Sequence, residues 1–249
     1  MKFSVITVCF NSEASIQKAI DSVAAQTWPN IEHIVIDGDS RDATVGIIQR
    51  NLQSIAHFVS EPDTGVYEAM NKGLKLATGD VIAFLNSDDV YQDAQVLETV
   101  ARSMQEQGLD ALYGDVEFFN SAAPEKTVRT YDSGRFKVSR IAWGWMPAHP
   151  ALFIRRNIYK KFGYFHEDYR IAGDYEFVAR IFKDGRLKSR HLSRVLVRMQ
   201  TGGLSTAGLR ATYLLNKEIL RACRQNGIAS NWLMVLSKYF FKVRELFHV

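Results

Sequence analysis

Apolar and polar positions along the first ninety residues alternate between two periods. Phe3 to Val8 is a strand-like run rich in β-branched residues, after which Asn11 or Ser12 offers a helix cap. Ile16, Ala19, Ile20, Val23 and Ala24 then recur at helical spacing and mark one apolar face, which Trp28-Pro29 ends. A second strand covers 31–36 and stops at Asp37-Gly38-Asp39-Ser40, and a helix follows through Val45, Ile48 and Leu52. A short strand at 56–60 precedes another helical stripe through Val66, Ala69, Met70, Gly73, Leu74 and Ala77, closed by Gly79; 81–85 is the fourth strand. This beat predicts an α/β fold, a mainly parallel sheet flanked by helices.

Ligands of such sheets bind beyond the carboxyl ends of the strands. That rule gathers four polar segments on one edge: 7–11, 37–40, 61–65 and 86–89. The last is the most informative, because an apolar strand ends abruptly in Asn86-Ser87-Asp88-Asp89. Adjacent carboxylates repel and are costly to desolvate. They suit a divalent cation such as Mn or Mg, which in turn holds a diphosphate. A solvated turn is the plain alternative. No glycine-rich phosphate loop follows the first strand, where Cys9-Phe10-Asn11-Ser12 contains no glycine, and no Gly-Lys-Ser/Thr occurs. With no glycine nest to neutralise a diphosphate, the metal reading of Asp88 and Asp89 gains weight.

Composition narrows the class. A chain of 249 residues, 47% hydrophobic, suffices for one large core with a small appendage. The two cysteines, Cys9 and Cys223, lie far apart, which fits a reducing cytoplasm. Neither a leader segment nor a membrane-spanning run is expected. The net charge is +4, but 206–249 alone carries +5 and the rest −1. Nucleic-acid binding by the main domain is therefore disfavoured. We divide the chain into a domain at 1–205 and a basic amphipathic helical extension at 206–249. In that extension Trp232, Leu233, Leu236, Tyr239, Phe240, Val243, Leu246 and Phe247 form an apolar stripe flanked by Lys238, Lys242 and Arg244. Such a helix lies on an anionic membrane surface, packs on the core, or joins a second copy as a homodimer.

The segments 4–11, 36–44, 60–73, 77–80 and 85–89 together resemble family 2 glycosyltransferases of the GT-A fold, among them bacterial enzymes of exopolysaccharide and colanic-acid-type assembly. Five such segments in the family's order form a specific signal, with weaker echoes near 149–155 and 171–180. The resemblance implies an inverting sugar transfer from a nucleotide-diphosphate donor, a UDP-sugar, to a glycan or polyprenyl-diphosphate-linked acceptor. It places Asn86, Ser87, Asp88 and Asp89 at the metal motif, with Asp89 as the direct ligand and Asp88 reaching the ribose or a metal-bound water. Thr7 and Phe10 match positions that frame the base and ribose, and Asp37 opens a loop closing over the uracil. Many relatives follow that aspartate with another, where this chain has Gly38. Asp63 and Asn71 belong to the donor-side segment.

Inversion also needs a carboxylate to take the acceptor proton. Asp174 leads into a helix where the family carries its base; a first-turn carboxylate favoured by the helix dipole is the structural alternative, and Glu176 is the runner-up. Trp143, Trp145 and His149 are acceptor-side candidates in a glycine- and proline-interrupted loop, and His149 or His191 would also suit a metal. The competing function is a non-catalytic nucleotide-sugar-binding subunit of a glycan assembly complex, which the pairing of Asp89 with Asp174 disfavours. A nucleotidyltransferase is disfavoured because 7–12 has neither glycine nor Lys/Arg.

Overall fold

A computed structural model of the chain describes residues 1–202 and 208–245, with side chains to Tyr239. Through the fourth strand the chain alternates as expected: β1 (Phe3–Cys9), α1 (Ile16–Ala24), β2 (Ile31–Asp37), α2 (Thr44–Gln49), β3 (His57–Ser60), α3 (Val66–Leu76) and β4 (Val81–Phe84); β5 (Asp89–Tyr91) and α4 (Val96–Gln107) follow. Then come β6 (Ala111–Asn120), β7 (Ala123–Tyr131), β8 (Leu152–Arg155), α5 (Arg156–Phe162), α6 (Gly173–Phe182), β9 (Ser189–Gln200), α7 (Leu209–Gln225) and α8 (Trp232–Glu245).

Among the described residues these strands form one sheet in the order β3-β2-β1-β4-β8-β6-β9-β5, with β7 added on β6. The β3-β2-β1-β4 half is wholly parallel, so its strand ends share one edge. Beyond β4 the sheet is mixed: β8 runs antiparallel to β4 and β6, while β6 and β9 are parallel. The parallel character is therefore confined largely to the segment whose helical crossovers were readable from periodicity.

Side-chain alternation along β1 and β2 divides the core between two helical layers. Ile6, Val8, Ile34 and Ile36 meet α3, α6 and α7, whereas Phe3, Val5, Cys9 and Val35 meet α1, α2 and α4. The helix α1 begins at Ile16, later than a cap at Asn11 or Ser12 would place it. Asn11 instead adopts a left-handed φ of 48°, takes its N–H to Ser40 Oγ (2.8 Å) and accepts from Arg41 N (2.9 Å). Asp39 is likewise left-handed at 66°. The loops after β1 and β2 are thus knitted together, with Ser12 N also donating to Thr44 Oγ1 at 2.7 Å.

Among the described residues the C-terminal extension holds two helices. α7 packs on α6, and α8 packs on α7 and on the 3₁₀ turn Val138–Trp143. Val235 and Lys238 of α8 are buried, while Trp232, Leu233 and Leu236 face outward. The side chains of Phe240, Lys242, Val243, Arg244, Leu246 and Phe247 lie outside the described ones.

Candidate active site

The parallel strand ends place Phe10, Asp37, Asp63 and 86–89 along one edge, but only some present a free group. Phe10 stands at the rim, 60% exposed. Asp37 is fully buried, and its carboxylate accepts from Ser40 N (3.0 Å), Ser40 Oγ and Ser60 Oγ (2.7 Å). It locks the edge from within and offers no free carboxylate oxygen to a nucleotide. Asp63 is half-buried, accepts from Gly65 N at 2.9 Å, and has its carboxyl pushed up by burial. A Cβ on Gly38 would meet Asp63 Oδ2 at 2.6 Å and the Phe10 ring at 3.5 Å. The missing side chain at 38 therefore makes room for the carboxylate of Asp63, which stands beside Phe10.

Two donor-side candidates turn inward. Thr7 follows the alternation of Val5 and Cys9 beneath the sheet, where it is fully buried and its hydroxyl meets His33 Nε2 at 3.0 Å. Its side chain therefore does not frame a base or ribose. Asn71 is also buried; its amide donates to Phe165 O and Glu167 Oε1, both at 2.9 Å, and accepts from Phe165 N at 3.0 Å. These bonds brace the 165–167 loop. Cys9 is no nucleophile, since burial and the Asp37 charge push its thiol far up.

The acidic turn separates its two aspartates. Asp89 opens β5, which pairs antiparallel with β9, so its side chain enters the sheet and is 1% exposed. Asn86 Nδ2 donates to its carboxylate at 3.0 Å, as does the backbone of Gln200. Burial, then the charge of Asp88, pushes the Asp89 carboxyl well up. Asp88 stays in the turn, half-buried and raised by burial alone. Of the two carboxylates Asp88 is the more open and Asp89 the more deeply buried. Ser87 is buried and its hydroxyl meets Ser12 Oγ at 2.9 Å, tying this turn to the β1 loop.

Asp174 sits in the first turn of α6, partly accessible. Its Oδ1 accepts from Tyr175 N at 2.8 Å and shares the single Tyr67 hydroxyl proton, at 3.2 Å, with the nearer Ile171 O. Glu176 is 1% exposed and bound to Arg180 (2.8 Å) and Asn226 Nδ2 (3.1 Å), which removes it as an acceptor base. Rings connect the two halves of the site. His149 stacks on Phe84 at 5.2 Å, just before the acidic turn, and Phe165 contacts Phe84, His149 and Tyr67. Burial lowers the His149 pKa, while the Asp174 charge opposes that shift.

Arg135, Arg140, Trp143 and Trp145 line a groove of about 460 Å³. Trp143 is 41% exposed, whereas Trp145 is buried with the Arg140 guanidinium above its ring. Asp115, Asp132 and His191 bring ligand-type atoms within 4.8 Å of one another, but His191 Nε2 already meets Asp115 Oδ1 at 2.8 Å and Asp115 accepts from Ser133 N. Two roles escaped the sequence reading, which offered Tyr67 only as a ring that stacks or packs. Tyr67 is the hydroxyl on Asp174, and Glu218 of α7 binds the loop before it. The available signal for Glu218 was an acid within the apolar stripe Leu215, Ile219 and Ala222 of a basic helix.

Comparison with solved structures identifies this architecture as the GT-A fold of nucleotide-sugar transferases. Staphylococcus aureus TarS 1–349, in complex with UDP-GlcNAc, superposes with a TM-score of 0.72 at 23% identity, covering 89% of this chain and 66% of that one. The mannosyltransferase PcManGT of Pyrobaculum calidifontis, in complex with GDP-Man and Mn2+, gives 0.61 at 16% identity over 98% and 80%. The family model Glycosyl transferase family 2 matches residues 4–183, and the chain belongs to that family; it is a glycosyltransferase. A PGL/p-HBAD biosynthesis glycosyltransferase of Mycobacterium tuberculosis is 31% identical over 224 residues, 88% of this chain and 82% of the relative. The Escherichia coli UDP-Glc:alpha-D-GlcNAc-diphosphoundecaprenol beta-1,3-glucosyltransferase WfgD is 35% identical over 119 residues, 47% of each.

Proposed function

We propose that the enzyme transfers a sugar from a UDP-sugar to a hydroxyl of a glycan or lipid-linked acceptor, with inversion, in surface polysaccharide assembly. The observation that carries this reading is the contrast between Asp174 and Glu176. One carboxylate is partly open at the start of α6, touched by the Tyr67 hydroxyl, and joined through the Tyr67 and Phe165 rings to Phe84 at the end of β4; the other is consumed by Arg180 and Asn226. In the proposed step the acceptor oxygen bonds to the anomeric carbon as its proton passes to Asp174. The bond from that carbon to the diphosphate oxygen breaks, and UDP leaves with the electron pair.

Phe10 and Asp63 would take the base and ribose, Phe10 by stacking and Asp63 through hydroxyls. A divalent cation, Mn or Mg, fits the donor set of this turn: Asp88 is a partly desolvated carboxylate with a second acid behind it. Bound there, the ion would neutralise charge on the diphosphate. Trp143 offers an open indole for an acceptor sugar face. The substrates for which these relatives are named or with which they were solved, UDP-glucose with a diphosphoundecaprenol-linked sugar for WfgD and UDP-GlcNAc in the TarS complex, support the donor and acceptor classes. A cytoplasmic enzyme held at an anionic membrane surface by the outward side of α8 completes the reading. Among the described residues no helix is long and apolar enough to cross a membrane.

The test is a panel of UDP- and GDP-sugars offered with octyl glycosides and GlcNAc-diphosphoundecaprenol, scored by nucleoside diphosphate release with and without Mn. Asp174→Asn should retain UDP affinity and lose about 10²–10⁴-fold in turnover. Near-normal turnover of that variant would overturn the assignment of the base.

A further inference from the structure

Glu218 lies on α7, beyond the 4–183 span that defines the family match. It is buried within an apolar stripe, where an uncompensated carboxylate would be costly. Its compensation is specific. Oε1 accepts from Arg170 N at 2.9 Å, and Oε2 accepts from Ile171 N at 2.9 Å and Ala172 N at 2.8 Å. Three consecutive peptide N–H groups therefore converge on one side chain, and Ala172 is the residue that caps α6. Asp174 follows two positions later.

The same loop is held from its other side. Tyr67 donates its hydroxyl to Ile171 O at 2.7 Å and lies against Asp174 Oδ1 at 3.2 Å. Its ring comes within 2.8 Å of where a Cβ on Gly173 would stand, so only glycine permits this approach. Glu218 thus fixes the N–H groups of the loop and Tyr67 its Ile171 carbonyl, and the oxygen of that same hydroxyl lies 3.2 Å from Asp174 Oδ1. Around this clamp α7 adds further ties, from Gln225 to the Tyr169 hydroxyl at 2.5 Å, from Cys223 to that of Tyr175 at 3.2 Å, and from Arg221 to Asp168.

We infer that Glu218 is a positioning residue for sugar transfer: through the backbone of 170–172 it sets where the Asp174 carboxylate stands relative to the acceptor hydroxyl. This rests on Asp174 being the base. A carboxylate is required because three N–H donors need acceptor oxygens on both branches of the side chain. An amide in its place turns an N–H₂ group toward at least one of them. Misplacement of a reacting group by about 1 Å costs on the order of 10²-fold in rate, so a small loosening here is visible in turnover.

The experiment compares full-length Glu218→Gln, Glu218→Asp, Asp174→Asn and the double variant Glu218→Gln/Asp174→Asn, using the donor–acceptor pair identified by the panel above. UDP binding in the presence of Mn is measured separately. We expect Glu218→Gln to lower kcat about 10–100-fold with donor KM and UDP affinity within about two-fold of the parent chain. In the Asp174→Asn background the same change should add less than about two-fold, because the group it positions is already gone. Glu218→Asp keeps the charge but withdraws it by one methylene, and should lose kcat at unchanged donor KM even if the glutamine variant does not fold. Parental kcat in a folded Glu218→Gln or in Glu218→Asp, with Asp174→Asn inactive, would overturn the positioning role and leave the base intact. A loss shared by kcat, donor KM and UDP affinity, or one that multiplies fully with Asp174→Asn, would reduce Glu218 to a structural anchor and also overturn it. Parental turnover in Asp174→Asn would remove the base and this inference together.

Discussion

At Asp88 and Asp89 the chain passes from turn to strand within one residue, and the two carboxylates part company there. Asp89 is taken into the sheet by the pairing of β5 with β9, where Asn86 satisfies it. Asp88 stays in the turn, partly exposed. UDP with Mn should therefore raise the melting temperature more than UDP or Mn alone, since a ligand that binds only the folded state stabilises it by mass action. Asp88→Ala should abolish that Mn-dependent increment while barely moving the melting temperature of the ligand-free protein. Asp89→Ala should instead destabilise the ligand-free protein by about 1–3 kcal/mol, because it strands the Asn86 amide and the Gln200 N–H. Differential scanning fluorimetry of the two variants decides this, and the reverse pattern would return the metal to Asp89. The same separation of near neighbours recurs at Asp174 and Glu176, two residues apart on α6 and so on different sides of it.

Among the elements, α8 divides its residues between two environments. Val235 and Lys238 are buried against the 3₁₀ turn that carries Trp143, and Ser230, just before the helix, donates to Ala142 O at 2.5 Å. Leu233 is 83% exposed and Leu236 also faces outward, beside the stacked pair Tyr213 and Trp232. One helix therefore packs on the core and keeps an apolar face outside. If that face meets an anionic membrane, the full-length protein should co-sediment with anionic vesicles at low salt and less at high salt. Leu233→Ser/Leu236→Ser should lose binding with its melting temperature nearly unchanged, because both side chains are outside the core. A full-length protein that stays in the supernatant and elutes as a dimer that the double variant breaks would assign the face to a second copy. Truncation is unsuitable for this question, since α7 holds the loop before Asp174.

Across the molecule, β1, β2 and the start of β4 are fastened by one buried acid. Glu32 accepts from Ser4 Oγ, Thr78 N, Thr78 Oγ1 and Gly79 N, and pairs with Lys2. Burial pushes its carboxyl up, but the bonds from Lys2, Ser4 and Thr78 outweigh this and hold it at about 2. The neighbouring His33 is lowered to about 4 by burial. Both folded values lie below the unfolded ones, so each contribution is complete above the unfolded pKa and is lost as pH falls toward the folded one. Stability should decline first between about pH 6.5 and 4 through His33 and then between about 4.5 and 2 through Glu32. Thermal unfolding across that range should show Glu32→Gln with a melting temperature lowered by about 5 °C at pH 7 and a shallower acid decline below pH 4.5. An unchanged acid profile in that variant would remove Glu32 as a source.

The alternation of Ile6, Ile34, Ile82 and their helices, the common edge of the strand ends, the acidic turn at 86–89 and Asp174 at a helix start were all determined by the sequence alone. Each depends on local periodicity and on which residues end an element. The different burial of Asp88 and Asp89, the inward turn of Thr7 and Asn71, the space over Gly38 taken by Asp63, and the grip of Glu218 on 170–172 were decided only by the tertiary structure. Each depends on a partner far away in the chain, β9 for Asp89, β2 for Thr7 and α7 for the loop before Asp174. Hydrogen bonds between such segments leave no period in either one.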